Sequence, residues 1–258
     1  MFQHFKRTVN GTSTEVYTLV MHVDNFKVGS LGSNSVYTSS LQGVNGTFYG
    51  STMLGIAVQN GAAVRPSSSW NLACLKNGSS TVDRNRGTMY RTTGGTVAVK
   101  KTVLAQNLTG ALSSLRWAIG GISLLLDQTL TSASYNSAIA SEAEGVGGVS
   151  DKRPRTLMGY IPSSQEIVLA IAVDAADPGN PNKGITMFDG RTIMKDLGCT
   201  MGIHLDGGSS TSIRLRHQPQ DGAEQVVRHR VTTNAQLVAA YFDTTWPQQR
   251  FPSPWTDL

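Results

Sequence analysis

The stretch Leu205-Asp206-Gly207-Gly208-Ser209-Ser210-Thr211-Ser212 lies between a short apolar run, Met201 to His204, and a β-like run, Ile213 to Arg216. It reads as strand, turn, strand. A carboxylate closes the first strand, two glycines permit positive φ and close backbone approach, and four hydroxyls follow. Bare N–H groups in such a turn form a concavity that accepts an anion. The same residues also suit a plain tight turn capped by Asp and Ser, so the wider chain has to decide between a site and a turn.

The chain has 258 residues, enough for one substantial core. Hydrophobic residues make up 39%, and mean hydropathy is -0.16, which fits a water-soluble fold. Glycine is abundant, at 27 residues, and Ser and Thr recur throughout, which favours strands joined by turns over a helical bundle. A net charge of +5 suits an anionic partner. There is no dense Lys/Arg block interleaved with aromatics, so nucleic acid is the less favoured partner. Arg214, Arg216, His217, Arg228, His229 and Arg230 form the nearest basic cluster and read as a solvated hairpin face. Cys74 and Cys199 sit among apolar or small residues and read as buried thiols without metal-ligand spacing. No run approaches a membrane span. Met1 to Asn10 lacks the apolar centre of a secretory signal, so a cytoplasmic or particle-borne location is expected.

Along the chain, Glu15 to Asp24 and Thr96 to Ala105 read as strands. Gly43 to Tyr49 and Met53 to Gln59 read as a strand pair around Gly50, and Pro66 to Ser80 as loop. Asn107 to Leu115 is expected to be a short helix capped by Asn107. Trp117 to Leu126 is expected to be a buried strand kinked at Gly120-Gly121. Thr131 to Asp151 is rich in Ser, Ala, Gly and Glu without a clear period, so it reads as a lid or a surface loop. Arg155 to Ile161 and Ile167 to Asp174 form a hairpin, and Ala175 to Lys183 is loop. Thr186 then caps a helix carrying Met187, Gly190, Ile193, Met194 and Leu197 at helical spacing, stopped by Gly198. Ile213 to Arg216 and Val226 to Thr232 pair, and Gln236 to Phe242 is a last strand. The expected fold is α+β: one domain over residues 1–258, with a mixed or antiparallel sheet core and few helices. The tail, Trp246 to Leu258, is expected to pack on the surface or join a partner subunit, which allows a homo-oligomer.

Three further stretches complete a pattern. They are Gly43-Val44-Asn45-Gly46-Thr47-Phe48-Tyr49, Gly120-Gly121-Ile122-Ser123-Leu124-Leu125, and Arg153-Pro154-Arg155-Thr156-Leu157-Met158-Gly159. With the Asp-Gly-Gly stretch they resemble, in order, the motifs of the phosphodiester glycosidase family: Asn-Gly-Gly-Phe-Phe, Gly-Gly-Pro-Leu-Leu, Pro-Arg-Thr-Ala-Ile-Gly and Leu-Asp-Gly-Gly-Gly-Ser-Ser-Thr. The resemblance spans about Val44 to Phe242, the motif-bearing core. Thr47 stands at the family's second Gly, Tyr49 at a Phe, Ser123 at the Pro and Ser209 at the third Gly of the last motif.

The resemblance implies hydrolysis of a sugar-1-phosphodiester at the anomeric C–O bond, with an N-acetylhexosamine-like sugar released from a glycan, wall polymer or nucleotide sugar. Such a reaction needs no cofactor and no metal. The leaving phosphate is already stable as an anion, so a cation on the phosphate and a carboxylate at the oxocarbenium-like centre matter most. Arg155 fits the first role because its guanidinium grips two oxygens at once, with Thr156 adding a hydroxyl. Asp206 fits the second, as nucleophile, base or electrostatic stabiliser. The resemblance places Asn45, Gly46, Gly207, Gly208, Ser209 and Ser210 in the pocket, with Gly120 and Gly121 along it. His204 shares a strand face with Asp206 and is either a proton-transfer partner or a core histidine. Glu142, Glu144, Asp174 and Asp189 are candidates for a second carboxylate. Two other readings stay open. A structural Arg155–Asp206 ion pair would leave a site-like constellation without catalysis, and the Gly-to-Ser and Gly-to-Thr departures allow a binder of phosphorylated sugars or nucleotide-like ligands that does not cleave them. The chain would otherwise be an interaction module of a viral or surface assembly.

Overall fold

The computed structural model describes residues 2–32, 34–66, 72–217, 225–231 and 238–242. The tail from 246 to 258 lies outside them, as do residues 67–71 of the loop expected from Pro66 to Ser80. The described residues fold as sixteen strands in three antiparallel sheets with two α-helices.

The first sheet has six strands in the order β1 (Phe2–Val9), β2 (Thr12–His22), β12 (Glu166–Asp174), β11 (Arg155–Ile161), β13 (Met201–His204) and β10 (Ile122–Ser123). The second orders β15 (Gln225–Arg230), β14 (Ser212–His217), β4 (Gln42–Asn45), β16 (Val238–Phe242) and β3 (Phe26–Ser30). The third orders β6 (Ala62–Ala63), β5 (Ala57–Gln59), β9 (Leu115–Gly120), β7 (Arg86–Thr92) and β8 (Val97–Thr102). One core joins all three: Leu169 and Ile171 of the first sheet meet Val44 and Ile213 of the second and Met89, Trp117 and Ile119 of the third. The fold is therefore α+β, mostly β, and a single domain.

The β11–β12 hairpin forms as expected, and β11 also pairs with β13, so Leu157 lies opposite His204. The β14–β15 hairpin and β16 form as well. Helix α2 (Met187–Asp196) starts at Thr186, whose hydroxyl accepts from the Asp189 N–H while Asp189 accepts from the Thr186 N–H. Gly198 takes φ 81 just past its end.

Other expectations change. Gly43 to Tyr49 and Met53 to Gln59 do not pair: β4 and β5 belong to different sheets, and only a Tyr49–Met53 bridge links the two segments. The Asn107 helix is replaced by two 3-10 turns, Ala105–Leu108 and Leu112–Ser114, neither capped by a side chain. The kink at Gly120-Gly121 is real, and there the chain leaves β9 for β10 in another sheet. A Cβ on Gly121 would lie 2.2 Å from the His204 carbonyl oxygen, so only glycine permits that crossing. The segment expected as lid or loop is largely helix α1 (Ser132–Ala143), opened by a Thr131–Ser134 capping box. It buries Tyr135, Ile139 and Ala143 together with Ile122 and Met187.

Glu142, near the end of α1, is fully buried. Its Oε2 accepts from the Gly87 N–H at 2.7 Å, the Ser123 N–H at 2.9 Å and the Ser123 hydroxyl at 3.0 Å. Lys101 Nζ lies 2.8 Å from Oε1, off the angle of a hydrogen bond, as a charge partner. Ser123 stands where the family pattern has proline, which could not donate the main-chain bond. Arg86 donates to the carbonyls of Leu54, Glu142 and Glu144, tying the exit of α1 to the segment after β4. No helix among the described residues is long and apolar enough to cross a membrane.

Candidate active site

Asp206 emerges where the first and second sheets meet. The N–H of its neighbour Leu205 donates to the Thr156 carbonyl at 2.9 Å, on the first sheet. Its own N–H donates to the Gly46 carbonyl at 3.0 Å, just beyond β4 of the second sheet. Asn45 locks the junction: its Nδ2 donates to the Asp206 carbonyl at 2.7 Å, and its Oδ1 accepts from the Thr156 hydroxyl at 2.8 Å and the Ser212 N–H at 3.0 Å. Asn45 and Thr156 are buried and satisfied by these bonds. They stand behind the site and hold Asp206 in place rather than facing a ligand. Gly46 is behind it too, with its N–H on the Val238 carbonyl and no room for a Cβ.

After Asp206 the chain turns through a 3-10 helix, Gly208–Ser210. Gly208 has φ 58, a conformation that a Cβ disfavours by about 1–2 kcal/mol. A Cβ on Gly207 would lie 2.9 Å from the Pro154 carbonyl oxygen. Ser209, at the family's third glycine, does not take a positive φ, so its side chain is no obstacle. Thr47, at another glycine of the pattern, fits because residue 55 is glycine: a Cβ there would fall 1.7 Å from Thr47 Oγ1.

In front of this turn is a cleft of about 380 Å³. It is lined by Asp206, Gly207, Gly208, Ser209 and Ser210 of the turn, by Phe48, Tyr49 and Leu54 from the segment after β4, by Gly145 and Val146 just past α1, and by Arg153, Arg155 and Met187. Asp206 as a whole keeps some exposed surface, but its carboxyl group is enclosed by protein, and the enclosure governs its chemistry. Burial pushes the carboxyl up to about 7, against hydrogen bonds from the Ser210 hydroxyl and the Gly207 N–H that favour the charge. Both protonation states are therefore populated near neutral pH. Tyr49, also hydrogen-bonded to Ser210, is raised by burial.

Arg155 is nine-tenths buried or more, at 6% exposure. Its Nε donates to the Ile185 carbonyl at 3.1 Å and an Nη to the Asp151 carbonyl. Desolvation and the Arg153 charge pull it down to about 10. Among the described residues no ion pair joins Arg155 to Asp206, so the two are not locked together as a structural bridge. Arg153 is more exposed and pairs with Asp151 Oδ2 at 3.0 Å.

The structure thus brings Asp206, Arg155, Gly207, Gly208, Ser209 and Ser210 to one cleft and leaves other expected residues out of it. His204 lies beneath α2, buried, with Nε2 donating to the Met187 carbonyl at 3.0 Å. Burial and Arg155 push it down to about 3, so it is a neutral wall histidine that does not line the cleft. It does not share a strand face with Asp206, because β13 ends at His204. Gly120 and Gly121 do not line the cleft either: a Cβ on Gly120 would lie 2.3 Å from Asn77 Oδ1, a buried amide that orders the third sheet. None of the four candidate second carboxylates reaches the cleft. Glu142 serves α1, Glu144 pairs with Arg84, Asp174 accepts from the Ala176 and Asp177 N–H groups, and Asp189 caps α2. In the basic cluster Arg214 is buried rather than solvated, donating to the Leu41 carbonyl, and Arg230 lies 4.2 Å from the centre of the Tyr37 ring. Sequence reasoning missed Tyr49 and Arg153 as cleft residues, although both stand inside the quoted motifs.

Cys74 and Cys199 are buried free thiols, both raised by desolvation. Among the described residues no group of three His, Cys, Asp or Glu is placed to hold a metal ion.

Comparison with known proteins places this geometry. The fold is similar to the catalytic domain of zebrafish N-acetylglucosamine-1-phosphodiester alpha-N-acetylglucosaminidase, auto-inhibited by its pro-peptide, with a TM-score of 0.63 and 14% identity over 94% of this chain and 82% of that one. It is also similar to a Burkholderia pseudomallei protein, with a TM-score of 0.54 and 13% identity over 90% of this chain and 74% of the other. A hypothetical protein from Synechocystis matches with a TM-score of 0.50 and 13% identity, over 94% of this chain and 62% of that one. At such identities the likeness speaks for the fold alone. Among curated proteins none matches by sequence. The phosphodiester glycosidase family model matches residues 39–239, most of the chain and all four motifs, and the chain belongs to that family.

Proposed function

We propose that the protein is a hydrolase that cleaves a sugar-1-phosphodiester at the anomeric C–O bond, releasing an N-acetylhexosamine-like sugar and a phosphomonoester. One observation carries the reading: among the described residues the cleft is lined by a single carboxylate, Asp206, together with two guanidinium groups, Arg153 and Arg155. A phosphodiester against the arginines would present its anomeric carbon to Asp206. The arginines would stabilise charge as it gathers on the departing phosphate, and this needs no strong acid. Asp206, present in both protonation states near neutral pH, would stabilise the oxocarbenium-like centre or activate water.

Turnover of a panel of sugar-1-phosphodiesters, UDP-N-acetylglucosamine included, tests the reading with wild type and Asp206→Asn. Free sugar from the wild type alone supports it. A binder is the second reading, favoured by the two main-chain bonds that already hold Arg155. Tight binding of one panel member by both proteins, without release of sugar, would replace the hydrolase by a sequestering protein.

A further inference from the structure

Two arginines line the cleft, and their donors are committed differently. Arg155 is 6% exposed. Its Nε donates to the Ile185 carbonyl at 3.1 Å and its Nη2 to the Asp151 carbonyl. A side-on grip on two phosphate oxygens needs the Nε–H and an Nη–H of one guanidinium edge. In Arg155 both of these nitrogens already serve main-chain carbonyls. Releasing them would leave buried acceptors unpaired.

Arg153 has the opposite arrangement. Its main chain is fixed, with its N–H on the Ile185 carbonyl at 3.1 Å and its own carbonyl accepting from the Ile185 N–H at 3.0 Å. The next carbonyl, of Pro154, accepts from the Gly208 N–H at 2.8 Å, which seats this stretch against the Asp206 turn. The side-chain stem lies there too: a Cβ on Gly208 would be 3.9 Å from Arg153 Cδ. The side chain is 42% exposed, and among the described residues its guanidinium makes one hydrogen bond, from Nη2 to Asp151 Oδ2 at 3.0 Å. That carboxylate is held in turn by the Gly148 N–H at 3.1 Å. A guanidinium has five N–H donors, so four remain, a complete two-donor edge among them. An exposed ion pair of this kind is weak, so a phosphate can also draw the guanidinium away from Asp151.

We infer that Arg153 is the substrate-binding residue that grips the phosphate with two donors, while Arg155 is a positioning residue that ties the Asp151 and Ile185 segments together and adds its charge from behind. The inference deepens the hydrolase reading and takes from it the place of the phosphate. It reverses the motif-based expectation that Arg155 grips two oxygens. A lysine would keep the charge at either position but not the fork.

Inorganic phosphate is the probe, and NMR titration of the arginine side chains follows its binding. In the wild type the Arg153 guanidinium resonances should shift more than those of Arg155. A larger shift at Arg155 would overturn the assignment. Arg153→Lys should weaken phosphate binding about 10-fold and leave the thermal midpoint unchanged. Arg155→Lys should lower the thermal midpoint, since two carbonyls lose their donor, and should cost the folded protein less affinity than Arg153→Lys. If Arg155→Lys does not fold, the wild-type titration decides. Wild-type affinity in Arg153→Lys, or no phosphate binding by the wild type, would also overturn the assignment. Sugar release from the panel with KM unchanged in Arg153→Lys would sink the assignment and leave the hydrolase. Weakened phosphate binding by Arg153→Lys, in a protein whose wild type releases no sugar, would uphold the assignment and sink only the hydrolase reading.

Discussion

Glu142 and Asp206 are both carboxylates enclosed by protein, and they have opposite fates. Glu142 collects three hydrogen bonds on one oxygen and the Lys101 charge on the other. Asp206 has the Ser210 hydroxyl and the Gly207 N–H, no countercharge in hydrogen-bond contact among the described residues, and a cleft in front. The first is a structural joint between α1, β7 and β10. The second is left short of support, and burial pushes its proton affinity up to neutral pH. The number of donors and a nearby lysine separate the joint from the cleft carboxylate; the residue type does not.

The largest expected effect would break the contrast from the cleft side. Asp206→Asn should lower turnover on the order of a thousandfold while leaving the fold intact. The same variant should change the pH dependence of stability. Because the carboxyl is raised in the fold, its contribution to stability is full below about 4 and is lost as pH rises through about 7. Asn has no such loss, so thermal midpoints should show the variant gaining on the wild type between those pH values. Equal midpoints at every pH would mean that Asp206 is better solvated than its surroundings indicate.

From the structural side, Glu142→Ala leaves Lys101 and two main-chain N–H groups without their partner. It should cost about 3–5 kcal/mol in urea unfolding. A loss under about 1 kcal/mol would show that water reaches the site and that the joint is weaker than its geometry implies. Asn45→Ala tests what lies behind Asp206. Losing the three bonds that fix the junction should reduce kcat roughly 10- to 100-fold, with KM changed less. The smallest effect is expected of Ser123→Pro, which restores the family residue, removes two donors to Glu142 and should cost about 1–3 kcal/mol.

Much of this was legible in the sequence where local rules and tertiary structure agree. The Arg155–Asp174 hairpin, the Thr186 cap, the Gly198 stop and the Asp206 turn all carry their signals within a few residues. Helix α1 carried only its Thr131 cap, because its hold on the core comes from four buried residues, Tyr135, Ile139, Glu142 and Ala143, spread through a Ser/Ala-rich run. The pairing of β4 was also hidden, since alternation marks a strand without naming its sheet. At the site, the motifs named the right neighbourhood but not the roles. Asn45 and Thr156 support, His204 lies under α2, and Gly120 and Gly121 serve strand crossings. Tyr49 was visible only as a departure from phenylalanine, and its place on the cleft depended on the Asp206 turn, far away in the chain.

The Asn45–Asp206 bond spans 161 positions and joins two sheets, and this has a consequence in time. Contacts so distant along the chain close late, after hairpins such as β11–β12 have formed. During refolding from urea, far-UV circular dichroism should therefore recover first, and ligand binding at the cleft should trail it by a resolvable lag. A nascent or partly unfolded chain would then be inert toward substrate even when most of its strands are in place.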